Sequence, residues 1–150
     1  MLEHQLHEIR DLTDPFLELV AQDPVRPHIP APQRVGETAR VLVLLKDQRP
    51  QSVVCVSFTS DVATTEDQLF GTPVSDAQVI MLYTIWSLAP GAGRRMVHEV
   101  LSYVKQSWPQ VHRVVTLSPP TQMAERFHLN NGASMLQHNG ATVNFEYALH

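Results

Sequence analysis

An α/β fold built on a mixed sheet is predicted by three features of the sequence. Residues 78–86, QVIMLYTIW, form a nearly continuous apolar run, the mark of a central strand covered on both faces. A glycine turn, an amphipathic helix and a further strand at 112–118 follow, a spacing that favours a parallel pair. Ahead of that run, RVLVLL (40–45) and SVVCVSF (52–58) flank the polar KDQRPQ. This predicts an antiparallel hairpin with a loop longer than the tightest types.

Taken in order, Leu2, Leu6 and Ile9, then Phe16, Leu17 and Val20, recur at helical spacing. Residues 1–21 are therefore expected to be an N-terminal helical segment, with Pro15 starting a second helix. Residues 22–36 hold four of the eleven prolines and read as an ordered arm. Residues 37–150 carry the sheet within one globular domain. The polar TSDVATTEDQLFG (59–71) predicts a loop with a helical turn. Met96, Val97, Val100, Leu101 and Val104 share one face of the helix after the central strand. A short helix is expected over 121–129, then SMLQ (134–137) and TVNFEYAL (142–149) as strands. In the last, Val143, Phe145 and Tyr147 share one face and Asn144 and Glu146 the other.

Composition narrows the function. A chain of 150 residues, 43% hydrophobic and 17% charged, is long enough for a real core and reads as globular. A net charge of −4 argues against nucleic acid, whose binders carry a basic face. An anionic ligand would have to be met locally, by a few arginines or by backbone N–H groups. Cys55 is the only cysteine, so no internal disulfide or cysteine cluster is possible. The histidines show no ligand spacing, and no metal is expected. Neither a targeting peptide nor a run of about 20 apolar residues is present, which predicts a cytoplasmic protein with no membrane partner.

Two motifs bear on chemistry. APGAGRR (89–95) places Gly91 and Gly93 between the central strand and a helix. Free N–H groups of the first turn and the helix dipole suit a pyrophosphate there, with Arg94 and Arg95 adding charge. An ordinary Pro-Gly turn has the same appearance. LSPPTQMAERFHLNNGA (117–133) sets Ser118 and His128 at the carboxyl end of a strand, where ligand crevices form in open α/β sheets. Read from the residues alone, Ser118 is equally a helix N-cap before proline. His128 is equally a polar helix residue or a core histidine satisfied by a carbonyl.

The strand, glycine turn and helix resemble the acyl-CoA site of the GCN5-related N-acetyltransferase (GNAT) superfamily. Its Gln/Arg-x-x-Gly-x-Gly/Ala pattern is met by Gly91-Ala92-Gly93, with Leu88 at the Gln/Arg position. RFHLNNGA resembles the Phe-His-Leu-x-Asn-Gly-Ala segment of malonyl-CoA decarboxylase, whose catalytic domain has a GNAT fold. TLSPP is similar to that family's Ser-Leu-Ser-Pro segment, LYTI to its Phe-Tyr-Ser-Ile strand and TVNFEYAL to its terminal Asn-Tyr-x-Tyr strand, with Phe145 at the first tyrosine. QRVG…RVLVLL resembles its Arg-x-Gly…Arg segment, so the likeness runs in order over residues 23–150. Where the family has a large helical domain ahead of the catalytic one, this sequence has residues 1–21, and its glycine turn is shorter.

The resemblance implies a GNAT-like mixed sheet flanked by helices and a coenzyme A thioester as substrate. It implies decarboxylation of malonyl-CoA to acetyl-CoA by Ser118 and His128 without a metal. The CoA arm would lie along Trp86 and Ser87 and over Gly91, Ala92, Gly93 and Arg94. Two alternatives stand beside it: an N-acetyltransferase using Glu125, Glu146 or Tyr147, and a non-catalytic acyl-CoA-binding module. A Ser118–His128 hydrogen bond facing a pocket is expected of the decarboxylase, and an open channel from Glu146 of the acetyltransferase. A capping serine with His128 in solvent is expected of the binding module.

Overall fold

Residues 4–149 are described by a computed structural model centred on one seven-stranded sheet. The strands are β1 (His4–Ile9), β2 (Ala39–Lys46), β3 (Arg49–Thr59), β4 (Val79–Ser87), β5 (Arg113–Thr116), β6 (Ser134–His138) and β7 (Val143–Tyr147). Their spatial order is β1-β2-β3-β4-β5-β7-β6. Only β4 and β5 are parallel, joined by helix α1 (Ala92–Ser107); helix α2 (Gln122–Asn130) follows β5.

The sheet separates two cores. On one face α1 and α2 cover Leu42, Leu44, Val54, Val56, Ile80, Leu82 and Phe145. On the other, the arm and its short 3-10 turns cover Val41, Val43, Cys55, Met81, Tyr83, Val115 and Leu117. From Val79 to Tyr83 successive residues of β4 alternate between these cores, which is why that stretch is apolar without interruption.

Two expectations are corrected. Residues 4–9 are a strand, not a helix: β1 pairs antiparallel with β2 from His4↔Lys46 to Ile9↔Val41. In a strand, positions three apart lie on opposite faces. Leu6 packs on the helical side and Ile9 on the arm side, so a helix-like spacing here serves two cores. Residues Pro15–Gln22 form a 3-10 helix, whose three residues per turn suit buried Leu17 and Val20. Leu2 lies outside the described residues. The β2–β3 connection is also tighter than expected, because Asp47 and Gln48 both take positive φ (53° and 64°) and pairing resumes at Lys46↔Arg49.

The arm is ordered by a buried ion pair. Arg34 Nη1 donates to Asp23 Oδ2 at 2.7 Å, with both side chains fully buried. Arg34 also donates to Ile29 O (3.0 Å) and Arg26 O (2.6 Å). Burial pushes the Asp23 carboxyl up, but the N–H of Arg26, the Arg34 guanidinium and the N–H of Val25 outweigh it and hold the group below its ordinary range. Replacing Arg34 by Met strands that carboxylate, and a loss of roughly 3–5 kcal/mol is expected in urea unfolding. Asp23→Asn/Arg34→Met should recover part of it.

Candidate functional site

Parallel pairing of β4 with β5 ends abruptly. It runs from Val79↔Arg113 to Leu82↔Thr116, closing with Leu117 N donating to Leu82 O at 2.9 Å. Alternation along the strand puts the next donor, position 119, on the β4 side, and Pro119 has no N–H. β4 is bulged at the same level, with Tyr83 inserted between Leu82↔Val56 and Thr84↔Cys55. Ser118 turns to β7 instead: its N–H donates to Val143 O and its carbonyl accepts from Val143 N, both at 2.9 Å. Beyond Leu82 the two strands part, and β4 has no strand partner on that side.

Ser118 is buried on the helical face, across from Val143. Its hydroxyl donates to Thr116 Oγ1 at 2.8 Å, which also accepts from Phe145 N at 3.0 Å. Ser118 does not cap α2; Thr121 does, accepting from Ala124 N at 3.2 Å.

His128 is likewise buried and does not face solvent. Its ring lies 5.2 Å from that of Phe145 and its Nδ1 is 2.7 Å from Tyr147 Oη. Burial lowers the imidazole pKa from 6.5 to about 4, so the ring is neutral near pH 7. Burial also raises the Tyr147 pKa, so the phenol keeps its proton. Where the phenol donates to Nδ1, the ring proton sits on Nε2, which has no protein partner among the described residues. No hydrogen bond joins Ser118 to His128 among the described residues. Both instead stand on β7, Ser118 opposite Val143 and His128 over Phe145 and Tyr147.

Packing sets α2 against the glycine turn through Phe127. Gly91 caps α1 at φ +75°, a conformation that favours glycine. Gly93 is helical, and a Cβ there would meet Phe127 Cε1 at 2.8 Å and Ser87 Oγ at 3.0 Å. Phe127 therefore rests on the first turn of α1. No side chain caps α1; Ala92 N–H donates to Ala89 O at 3.3 Å, which leaves the next N–H groups of the turn for another acceptor. Ala92 is buried, while Ser87 and Arg94 are exposed. Trp86 packs into the arm-side core with Nε1 buried and unpartnered, so its side chain is turned from the glycine turn.

Sequence reasoning did not single out Thr116 or Arg26, nor fix a role for Tyr147. The alternation of Val143, Phe145 and Tyr147 held the signal for the tyrosine, since it puts Tyr147 on the face that α2 covers. Nothing local marks the other two. Glu125 is exposed, and Glu146 accepts from Arg113 Nε and Nη2, each at 2.8 Å. That hydrogen bonding outweighs burial and holds the Glu146 carboxyl below its ordinary range. No group of three or more metal-ligating side chains gathers among the described residues, and no described helix is long and apolar enough to cross a membrane.

No family profile and no curated protein sequence matches the chain. Solved structures do. Malonyl-CoA decarboxylase from Rhodopseudomonas palustris superposes with a TM-score of 0.78 at 18% identity, over 97% of this chain and 60% of that one. The loading GNATL domain of CurA from Lyngbya majuscula gives 0.64 at 15% identity, over 98% of each chain. AAC(6')-Ib, solved in complex with acetyl-CoA, gives 0.67 at 13% identity, over 97% of this chain and 93% of that one. The fold is GNAT-like. At these identities the GNAT likeness is one of fold, and this GNAT-like chain spans 60% of the decarboxylase chain it matches.

Two outcomes are expected. The unfolded imidazole binds a proton near pH 6.5 that buried His128 refuses until about pH 4. The unfolded state therefore gains protons first as pH falls, and stability should drop by about 3 kcal/mol across that window. Urea unfolding against pH should show the slope in the native protein and a shallower one in His128→Gln. Gly93→Ala forces Phe127 aside and should cost about 1–3 kcal/mol in the same assay.

Proposed function

We propose that this protein binds an acyl-CoA and decarboxylates malonyl-CoA to acetyl-CoA. The observation that carries the reading is a neutral, buried histidine held by Tyr147 on the sheet face that holds Ser118, with the preceding Phe127 packed on the glycine turn of α1. Fold likeness to decarboxylase and GNAT structures supports the acyl-CoA part.

In this reading the N–H groups of Gly93 and Arg94 in the first turn of α1 take the pyrophosphate, with the helix dipole behind them. The pantetheine lies along β4 past Leu82, where the strand lacks a neighbour. The bond between the malonyl methylene and its carboxylate breaks, CO2 leaves, and the electron pair passes into the thioester enolate. Its carbon then takes a proton from water to give acetyl-CoA, and the hydroxide left behind combines with the released CO2 as bicarbonate. A neutral His128 serves as donor: Nε2–H meets the thioester oxygen as charge builds on it, while Tyr147 holds the tautomer. Ser118 orients the departing carboxylate by swinging its hydroxyl from Thr116 onto it. Low surrounding polarity favours loss of the charged carboxylate.

Acetyl transfer to an amine is less well supported, because it wants a base. Glu146 is engaged by Arg113 and Glu125 is exposed. A non-catalytic acyl-CoA-binding module remains the second reading, favoured by the short glycine turn and by the absence of a direct Ser118–His128 bond.

Mass spectrometry of malonyl-CoA incubated with the protein tests this. Acetyl-CoA should appear, with turnover reduced by about 10²-fold or more in His128→Ala and Ser118→Ala, and less in Tyr147→Phe. Malonyl-CoA that binds but stays intact would sink the decarboxylase and leave the binding module.

A further inference from the structure

We infer that Arg26, delivered by the proline-rich arm, is a positioning residue for Ser118 and sets the width at which β4 and β5 part. The inference rests on the proposed reactive role of Ser118. Its starting point is a shortage of donors. Where β5 leaves β4, the Leu117 carbonyl faces a strand that no longer pairs with it, and the bulge turns the Tyr83 carbonyl out of the ladder. Buried carbonyls need partners. One side chain supplies both: Arg26 Nη2 donates to Leu117 O at 2.9 Å, and Nη1 donates to Tyr83 O, with Thr84 Oγ1 3.5 Å from Nη1.

This is not an ordinary buried ion pair. Arg26 is buried, yet its carboxylate partner, Glu66, reached from Nε at 3.1 Å, has a side chain 40% exposed. The two terminal nitrogens go to the backbones of the two diverging strands. A planar guanidinium can span two carbonyls at a fixed separation, which a lysine ammonium on a flexible stem cannot.

The link to Ser118 is a single peptide unit. Leu117 O and Ser118 N–H belong to the same planar group. Arg26 holds its oxygen and Val143 O holds its hydrogen, so the plane from which the Ser118 side chain departs is fixed from both edges. The arm is built to aim this guanidinium. Asp23 Oδ1 accepts from Arg26 N at 2.7 Å, and Arg34 Nη2 donates to Arg26 O at 2.6 Å. The peptides on either side of Arg26 are thus held by the ion pair that orders the arm, and the arm acts as a strut from the far face of the sheet.

The test compares Arg26→Met and Arg26→Lys with the native protein by two readouts. Residue-resolved amide exchange should show Leu117 and Ser118 exchanging at least tenfold faster in Arg26→Met. Val41–Val43 and Val53–Cys55 should be unchanged, and Arg26→Lys intermediate. With malonyl-CoA, Arg26→Met should lower kcat at least tenfold while KM and inhibition by free CoA stay within twofold. Arg26→Lys should restore part of kcat. Uniform acceleration across the sheet, no acceleration at Leu117 and Ser118, or local acceleration with native kcat would each overturn the inference. If the native protein does not turn over malonyl-CoA, the decarboxylase reading fails by itself. Exchange at Leu117 and Ser118 then still decides whether Arg26 braces the wedge. Should Arg26→Met fail to fold, the lysine variant carries both measurements.

Discussion

A missing hydrogen-bond donor organises the site. Pro119 stands where the parallel ladder between β4 and β5 would next draw on β5, and it has nothing to give. Where that donor is missing the strands diverge, while Ser118 keeps to β7 and the Leu117 carbonyl is left for Arg26. A wedge between parallel strands would ordinarily expose unsatisfied backbone. Here one edge is served by β7 and the root by an arginine from the opposite face. The unpaired length of β4 is the remainder, and it runs toward the glycine turn at the start of α1.

Buried polarity is handled differently under the arm and around Ser118 and His128. The arm face keeps full charges, Asp23 and Arg34, and makes them tolerable by pairing them and by giving their remaining valences to backbone groups. Asn144, on that face too, is satisfied by the Ala63 and Thr116 carbonyls and by donors from Gln137 and Asn139. The helical face carries no such pair at Ser118 and His128. It holds a neutral imidazole, a protonated phenol and two hydroxyls, groups that donate hydrogen bonds at little desolvation cost.

Much of the fold was readable because it rests on local periodicity. The unbroken apolar run of β4, the alternation in β7 and the heptad-like face of α1 each report a burial pattern, and each element lies where that pattern puts it. β1 was misread because Leu6 and Ile9 face different cores, and a three-residue step across two cores imitates a helix. The tight turn at Asp47 and Gln48 was misread because glutamine at positive φ has no sequence signature. Ser118 as a cap gave way to Thr121, which sits nearer the first α-helical residue.

By itself, the sequence determined that a buried strand, a glycine turn, a helix and a further strand would come in succession, and that a serine and a histidine would lie at the carboxyl end of that last strand. These depend on residue type and short spacing, which the chain carries locally. Only the tertiary structure decided that His128 is neutral and bonded to Tyr147, that Ser118 leans on Thr116, that Gly93 is small because Phe127 rests on it, and that Arg26 reaches through from the other face. Each of those joins residues from separate elements, and burial, which sets both pKa and partner, exists only once the elements have packed.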